Sequence, residues 1–325
     1  MADYRPWGSL NWVLRHIPTC KWSLLGCLST GERSLAAWQV LRDAGSLDHV
    51  RLLRIANKPS RYDAAVRQRE NDRIEEFKRE GGDERVIEQH NLLEPPFTIV
   101  GVIDSFLQTA GTNVVLDVST LPKRFFFPLL KMLLRSIVVR NLIVTYTSPL
   151  EYTRGNLAEN FDQWDHIPLF SGSYANARPE MMVVNVGFEA FGLQEQVDQS
   201  GGGLPIKLLF PFPAPPQAFL RSWELVQRLQ RHRSSDTFRL YRTDAKDVGD
   251  AFDRIVSLTD QGRHRALLAP FGPKPISVAM CIFATLTESQ VFYSQPTVYH
   301  PQYSSGVDSV WAHVLRLDGQ DYYRI

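Results

Sequence analysis

The stretch NVVLDVSTLPKR, Asn113–Arg124, carries three signals in one segment. Val114, Val115 and Leu116 form a short apolar run. Asp117 and Ser119 break it. Pro122 then stands where a helix would begin, before the apolar set Phe125, Phe126, Leu129, Leu130, Leu133 and Leu134. A short apolar run closed by turn chemistry and followed by an apolar helix reads as a buried parallel strand feeding a βα loop.

The same order of features returns in RALLAPFGPKPIS, Arg265–Ser277. Each copy has a strand, a turn and a Pro-Lys pair, Pro122-Lys123 and Pro273-Lys274. Each continues through an apolar helix and a strand to Pro-x-x-Tyr, Pro149–Tyr152 and Pro296–Tyr299. The two intervals differ by about one helical turn. This is a degenerate internal duplication, and it places Lys123 and Lys274 at equivalent points of two halves.

Outward from the first copy, strands are expected at 22–28, 50–56, 85–90, 114–118 and 142–146. Helices are expected at 32–44, 61–80, 97–109 and 122–138, with Ser29 or Thr30 capping the first. Strands alternating with helices predict an α/β fold with a mostly parallel sheet covered on both faces. A second alternation follows: strands at 206–210, 238–241, 266–269 and 291–294, and helices at 217–232, 248–261 and 274–288. The fold class is therefore two Rossmann-like halves, pseudo-duplicated. The expected division is an arm over 1–21, a Rossmann-like half over 22–152, an irregular connector with a strand (181–186) over 153–204, and a second half over 205–325. Residues 310–317 read as an extra edge strand. The charged helix over 61–80 reads as a solvated face, ended by Gly81-Gly82.

Composition limits the partners. The chain has 325 residues, 44% hydrophobic and 22% charged, with a formal net charge of +1. Such a chain can bury a large core. Its charge gives no reason to expect direct nucleic-acid or membrane binding. No segment approaches the roughly 20 apolar residues of a membrane helix. Cys20, Cys27 and Cys281 form no CxxC pair and read as reduced thiols of a cytoplasmic protein. No signal peptide is expected.

Chemistry concentrates in the two Pro-Lys turns. Amides at a strand's carboxyl end and a helix N-terminus attract anions. Ser119 and Thr120 add hydroxyls, while Lys123, Arg124 and Lys274 add charge. Tyr146, Tyr152, Tyr299 and Tyr303 offer rings for stacking on a base. The competing reading is structural: proline sets a helix start, lysine covers it and tyrosines pack at the surface. G-x-G-x-x-G, the P-loop and G-x-S-x-G are absent, which argues against an ordinary dinucleotide oxidoreductase, a P-loop NTPase and an α/β-hydrolase. The eight dispersed histidines make no zinc pattern. Asp162, Asp165 and His166 have no nucleophile beside them. No catalytic set, metal site or cofactor is expected.

The duplicated halves, with turns at Ser119–Arg124 and Phe271–Pro275, resemble the CARF and SAVED nucleotide-sensing domains of prokaryotic defence systems. Phe271-Gly272-Pro273-Lys274-Pro275 is similar to their glycine/lysine ligand loops. The resemblance implies a nucleotide-binding or nucleotide-sensing component of an antiviral system, with a protein partner carrying the effector activity. The ligand-binding candidates are Asp117, Ser119, Thr120, Lys123, Arg124, Tyr146, Gly272, Lys274 and Tyr299. Two alternatives are a nucleotide- or phosphosugar-processing enzyme and a non-catalytic structural subunit of a complex.

Overall fold

The computed structural model describes residues 4–18, 20–153, 157–172, 178–187, 193, 204–214, 216–230 and 238–325. In chain order the first elements are β1 (Trp7–Ser9), α1 (Leu10–His16), β2 (Trp22–Leu28), α2 (Ala36–Asp43), β3 (Leu47–Ala56), α3 (Asp63–Arg79), β4 (Ile87–Asn91), α4 (Pro96–Thr109), β5 (Asn113–Asp117), α5 (Lys123–Arg135) and β6 (Asn141–Thr147). They are followed by β7 (Glu151–Tyr152), β8 (Ala158–His166), β9 (Met181–Asn185), β10 (Ile206–Phe212), α6 (Pro216–Gln230), β11 (Phe238–Asp244), α7 (Val248–Leu258) and β12 (Ala266–Pro270). The last are α8 (Lys274–Thr287), β13 (Gln290–Tyr299), β14 (Ser304–Ser305), β15 (Val310–Leu317) and β16 (Gln320–Asp321).

The chain divides into two compact units. The first holds Met1–Asn160 with Pro296–Tyr323, and the second Phe161–Gln295 with Arg324–Ile325. The first sheet runs β1-β15-β6-β5-β2-β3-β4, with β16 on β15. From β6 to β4 every pairing is parallel. In order of appearance these five strands lie third, second, first, fourth, fifth across the sheet. The second sheet runs β11-β10-β9-β12-β13-β8. Its strands β9 to β13 are parallel and repeat that order. The fold is α/β and Rossmann-like in both units. The order reverses between β2 and β5 in the first and between β9 and β12 in the second. With right-handed crossovers, that reversal sends helices to both faces.

Burial follows from this layering. All seven residues of β2 are buried. Val115 joins Trp22, Leu24, Leu28, Trp38 and Phe77 in one apolar cluster. Its neighbours Val114 and Leu116, fully buried, point to the opposite face because a strand alternates. This explains why β5 reads as an unbroken apolar run and not as an alternation.

Several sequence expectations are corrected. The arm over 1–21 contributes β1, which pairs Trp7 with His313 of β15, and α1, capped where Ser9 Oγ accepts from Trp12 N–H. Strand β15 is no edge of a second half. It lies between β1 and β6 in the first sheet. Met181–Asn185, assigned to the connector, is the central strand β9 of the second sheet. Sheet membership is set by hydrogen bonds between distant segments, so proximity in sequence misplaces both. Ala158–His166 forms β8 despite Asn160, Asp162 and Asp165, which have poor strand propensity. Helix α3 is not wholly solvated: buried Glu70 meets Arg54 at 2.7 Å. At its end, Gly81 takes φ +93, the left-handed conformation that glycine adopts readily. Parts of the expected connector, residues 154–156, 173–177, 188–192 and 194–203, lie outside the described residues. No described helix is long and apolar enough to cross a membrane.

His313 makes β15 sensitive to acid. It is 1% exposed, it stacks on Trp7 at 5.6 Å, and neither ring nitrogen has a hydrogen-bond partner among the described residues. Burial lowers its pKa to about 3, from 6.5. The unfolded chain therefore binds a proton that the folded ring refuses. Stability from this residue is complete above about 6.5 and falls as the pH drops toward about 3. Urea unfolding at pH 7 and pH 4 should show a smaller acid loss in His313→Phe than in the wild type, by on the order of 3 kcal/mol. Equal losses would mean that the ring is not held neutral.

Candidate functional site

The carboxyl end of β5 is tied into a hydrogen-bond network. Asp117 is 1% exposed, and its Oδ1 accepts from Ser119 Oγ at 2.5 Å, Ser119 N at 3.3 Å and Thr145 Oγ1 at 3.0 Å. Ser119 Oγ also accepts from Thr147 N at 2.7 Å. Ser119 thus ties the end of β5 to the end of β6. Thr120 Oγ1 donates to the Cys27 carbonyl at 2.6 Å and ties the same loop to the end of β2. The side-chain oxygens expected to face a ligand hold three neighbouring strand ends together.

Two cations follow this network at the start of α5. Pro122, with φ −58 and ψ 149, precedes Lys123, the first residue of α5. Proline fixes φ, so the helix starts here without a side-chain cap. Lys123 is half-buried as a residue, and desolvation lowers its ammonium pKa to about 7. An ammonium at the positive end of a helix is in an unfavourable field, which a bound anion reverses. Arg124 Nη2 donates to the Glu94 carbonyl at 3.0 Å, which anchors it to the loop before α4.

A second group stands at the ends of β2 and β6. The chain leaving β2 makes a single 3-10 turn, Glu32–Ser34, before α2 begins at Ala36. Neither Ser29 nor Thr30 caps α2, whose cap residue is Leu35 with no side-chain bond. The turn buries Arg33, whose Nη1 donates to the Thr147 carbonyl at 3.0 Å. The two-stranded ribbon of β7 and β14 brings Tyr152 opposite Ser304, and Tyr152 packs edge-on to Tyr303 at 5.9 Å. Tyr146 Oη lies 3.1 Å from Tyr152 Oη. Burial raises the Tyr152 pKa well above 10, Tyr146 adds to the rise, and the Arg33 charge opposes it. Tyr152 is therefore a neutral phenol within the field of the buried Arg33 guanidinium.

The second unit repeats the loop with different contents. Pro273, at φ −53 and ψ 145, precedes Lys274, the first residue of α8. Asn185, at the end of β9, donates to the Pro273 carbonyl at 3.0 Å and to Ser277 Oγ at 3.2 Å. A Cβ on Gly272 would collide with Asn185 Oδ1 and the Val186 carbonyl, and one on Gly187 with the Phe271 carbonyl. The loops after β9 and β12 therefore meet backbone to backbone, and Gly272 allows that approach. Phe271 stacks on Trp164 at 5.3 Å and packs against Tyr293 at 5.4 Å.

The candidates divide accordingly. Asp117, Ser119, Thr120, Lys123, Arg124 and Tyr146 gather at the strand ends of the first unit. Gly272 and Lys274 belong to the second. Tyr299 ends β13 but lies beyond Pro296, in the first unit's part of the chain. Arg33, Ser34 and Thr147 escaped the sequence reading. The one signal for Arg33 and Ser34 is the polar loop STGERS, Ser29–Ser34, after β2.

No family model matches this chain, and no curated protein matches it. Among solved structures, a putative universal stress protein from Pseudomonas aeruginosa UCBPP-PA14 matches with 15% identity and a TM-score of 0.25, covering 88% of this chain and 95% of that one. A functionally unknown protein from Pseudomonas aeruginosa PAO1 matches with 14% identity and a TM-score of 0.24, again over 88% and 95%. At these values the likenesses carry no argument about ligand or activity.

Ser119→Ala separates structure from recognition. It removes one donor to buried Asp117 and leaves Thr147 N–H without its acceptor, so unfolding should lose about 1–3 kcal/mol. Denaturant titration measures this. Unchanged stability would return Ser119 to the ligand-facing set.

Proposed function

We propose that this chain binds a phosphate-bearing small molecule of the nucleotide class at the strand-end loops of its first unit, and that binding serves sensing. One observation carries the reading: Lys123 begins a helix at the point where the strand order reverses, with its pKa lowered to about 7. In open parallel sheets that reversal opens a crevice at the carboxyl ends of the strands. A desolvated ammonium there gains most from a negatively charged partner, which restores its proton and opposes the helix dipole. The hydroxyl network beneath it holds the loop and leaves recognition to the cations and to the tyrosines.

The placement of such a sensor in a prokaryotic antiviral system, beside an effector-bearing protein partner, is part of the proposal. The resemblance of Phe271–Pro275 to glycine/lysine ligand loops supports it, as does the same strand order in both units. A lysine poised near neutrality is also suited to act as a nucleophile or base. That observation favours a second reading, a nucleotide- or phosphosugar-processing enzyme. Product formation from a nucleotide incubated with purified protein would select it over sensing.

Lys123→Met should weaken nucleotide binding at least about tenfold, the loss of one charge-assisted contact. Cyclic adenosine monophosphate is a useful probe because its diester charge is constant near neutrality. Lys123 loses its proton as the pH rises through about 7, so calorimetry should show tighter binding at pH 6 than at pH 8. The pH difference should vanish in Lys123→Met. A wild type that binds no nucleotide at either pH would end the proposal.

A further inference from the structure

At the carboxyl ends of β2 and β6, three buried polar atoms have no hydrogen-bond partner among the described residues: Arg33 Nε, Ser34 Oγ and Thr147 Oγ1. Arg33 is 6% exposed, Ser34 3% and Thr147 0%. Arg33 and Thr147 are joined, because Arg33 Nη1 donates to the Thr147 carbonyl at 3.0 Å, and Ser34 follows Arg33 in the same turn. Among the described residues no carboxylate pairs with Arg33.

Another buried arginine of the same unit shows the contrast. Arg316, 8% exposed, gives Nε to Asp321 Oδ1 at 2.6 Å. Its Nη atoms go to the carbonyls of Ser136, Val139 and Leu134. That is how a structural guanidinium is satisfied: every nitrogen is used, and a carboxylate balances the charge. Among the described residues Arg33 has one carbonyl and no carboxylate partner. Burying an unpaired cation and idle hydroxyls opposes folding, so such a group points to binding.

We propose that Arg33 is the receptor for a phosphoryl oxyanion, with the Ser34 and Thr147 hydroxyls as further donors and the Tyr152 phenol at its border. A phosphoryl group has several acceptor oxygens and suits a guanidinium joined by hydroxyls. The neutral Tyr152 phenol brings no negative charge to repel it. The site rests on the nucleotide reading above for the ligand's class. The anion chemistry comes from Arg33 itself, which that reading does not use.

Isothermal calorimetry on the full chain tests this with inorganic phosphate, adenosine 5′-monophosphate and adenosine, and thermal unfolding of every variant is followed with and without phosphate. Adenosine 5′-monophosphate should bind and raise the melting temperature of the wild type. Inorganic phosphate alone should do so more weakly, and adenosine should not compete for Arg33. Arg33→Met keeps the length of the side chain and removes the charge. It should fold, melt no lower than the wild type without phosphate, and bind adenosine 5′-monophosphate at least about tenfold more weakly. Arg33→Lys keeps a charge without the planar fork and should fall between the two; it serves as the deciding variant if Arg33→Met does not fold. Unchanged affinity in a folded Arg33 variant overturns the proposal. So does a lowered melting temperature in Arg33→Met together with a wild type that phosphate does not stabilise, which would make Arg33 a strut for Thr147. Lys123→Met is run in parallel. Loss of binding there alone would keep the nucleotide reading and reject Arg33, while loss in Arg33→Met alone would do the reverse.

Discussion

A carboxylate buried at the end of a parallel strand must have donors, and Asp117 sets this condition for the first unit. Its Oδ1 takes the Ser119 hydroxyl, the Ser119 amide and the Thr145 hydroxyl. Because Ser119 Oγ in turn accepts from Thr147 N–H, the ends of β5 and β6 are held in one relation. Thr120 extends the same tie to β2 through Cys27. Parallel strands leave their carboxyl ends open, since each connection departs to a helix. Without cross-ties the loops there would be free of one another. With them, the positions of Lys123, Arg33 and the tyrosine pair become properties of the sheet.

Both units meet the same topological requirement with different chemistry. In the first, hydroxyls and a carboxylate bind the loop after the fourth parallel strand. In the second, Asn185 reaches the Pro273 carbonyl and Ser277, and glycines let two backbones touch. The first solution uses side chains to fasten the loop and sets its cations at the start of the following helix. The second uses bare backbone and surrounds Phe271 with Trp164 and Tyr293. A shared strand order therefore does not imply two equal sites. The strand order comes from the alternation of strands and helices, whereas the site depends on which side chains stand at the reversal.

The alternation, both Pro-Lys helix starts and the apolar run of β5 were legible in the sequence, because each is a local signal. A proline fixes φ wherever it stands, and a strand covered on both faces is apolar throughout. Helix ends were legible to within a few residues for the same reason. Hydroxyls beside a lysine at a strand end are a local pattern of the same kind. Their division of labour was not readable, because it depends on Thr145 and Thr147 from the next strand and on Cys27 from the first. Arg33 was not legible, because nothing in STGERS shows that the arginine is buried with a carbonyl and no carboxylate partner among the described residues.

Sequence alone determined the fold class, the duplication and the candidate loops of this protein, since these follow from periodicity and from backbone constraints within a few residues. Tertiary structure decided which sheet β9 and β15 join and which unit holds Tyr299. It also decided that Ser119 fastens strands and that a guanidinium is buried with a single carbonyl. These are facts about hydrogen bonds and desolvation between segments as far apart as Arg33 and Thr147. No local pattern encodes them, because their energies depend on what surrounds a group in space and not on what stands beside it in the chain.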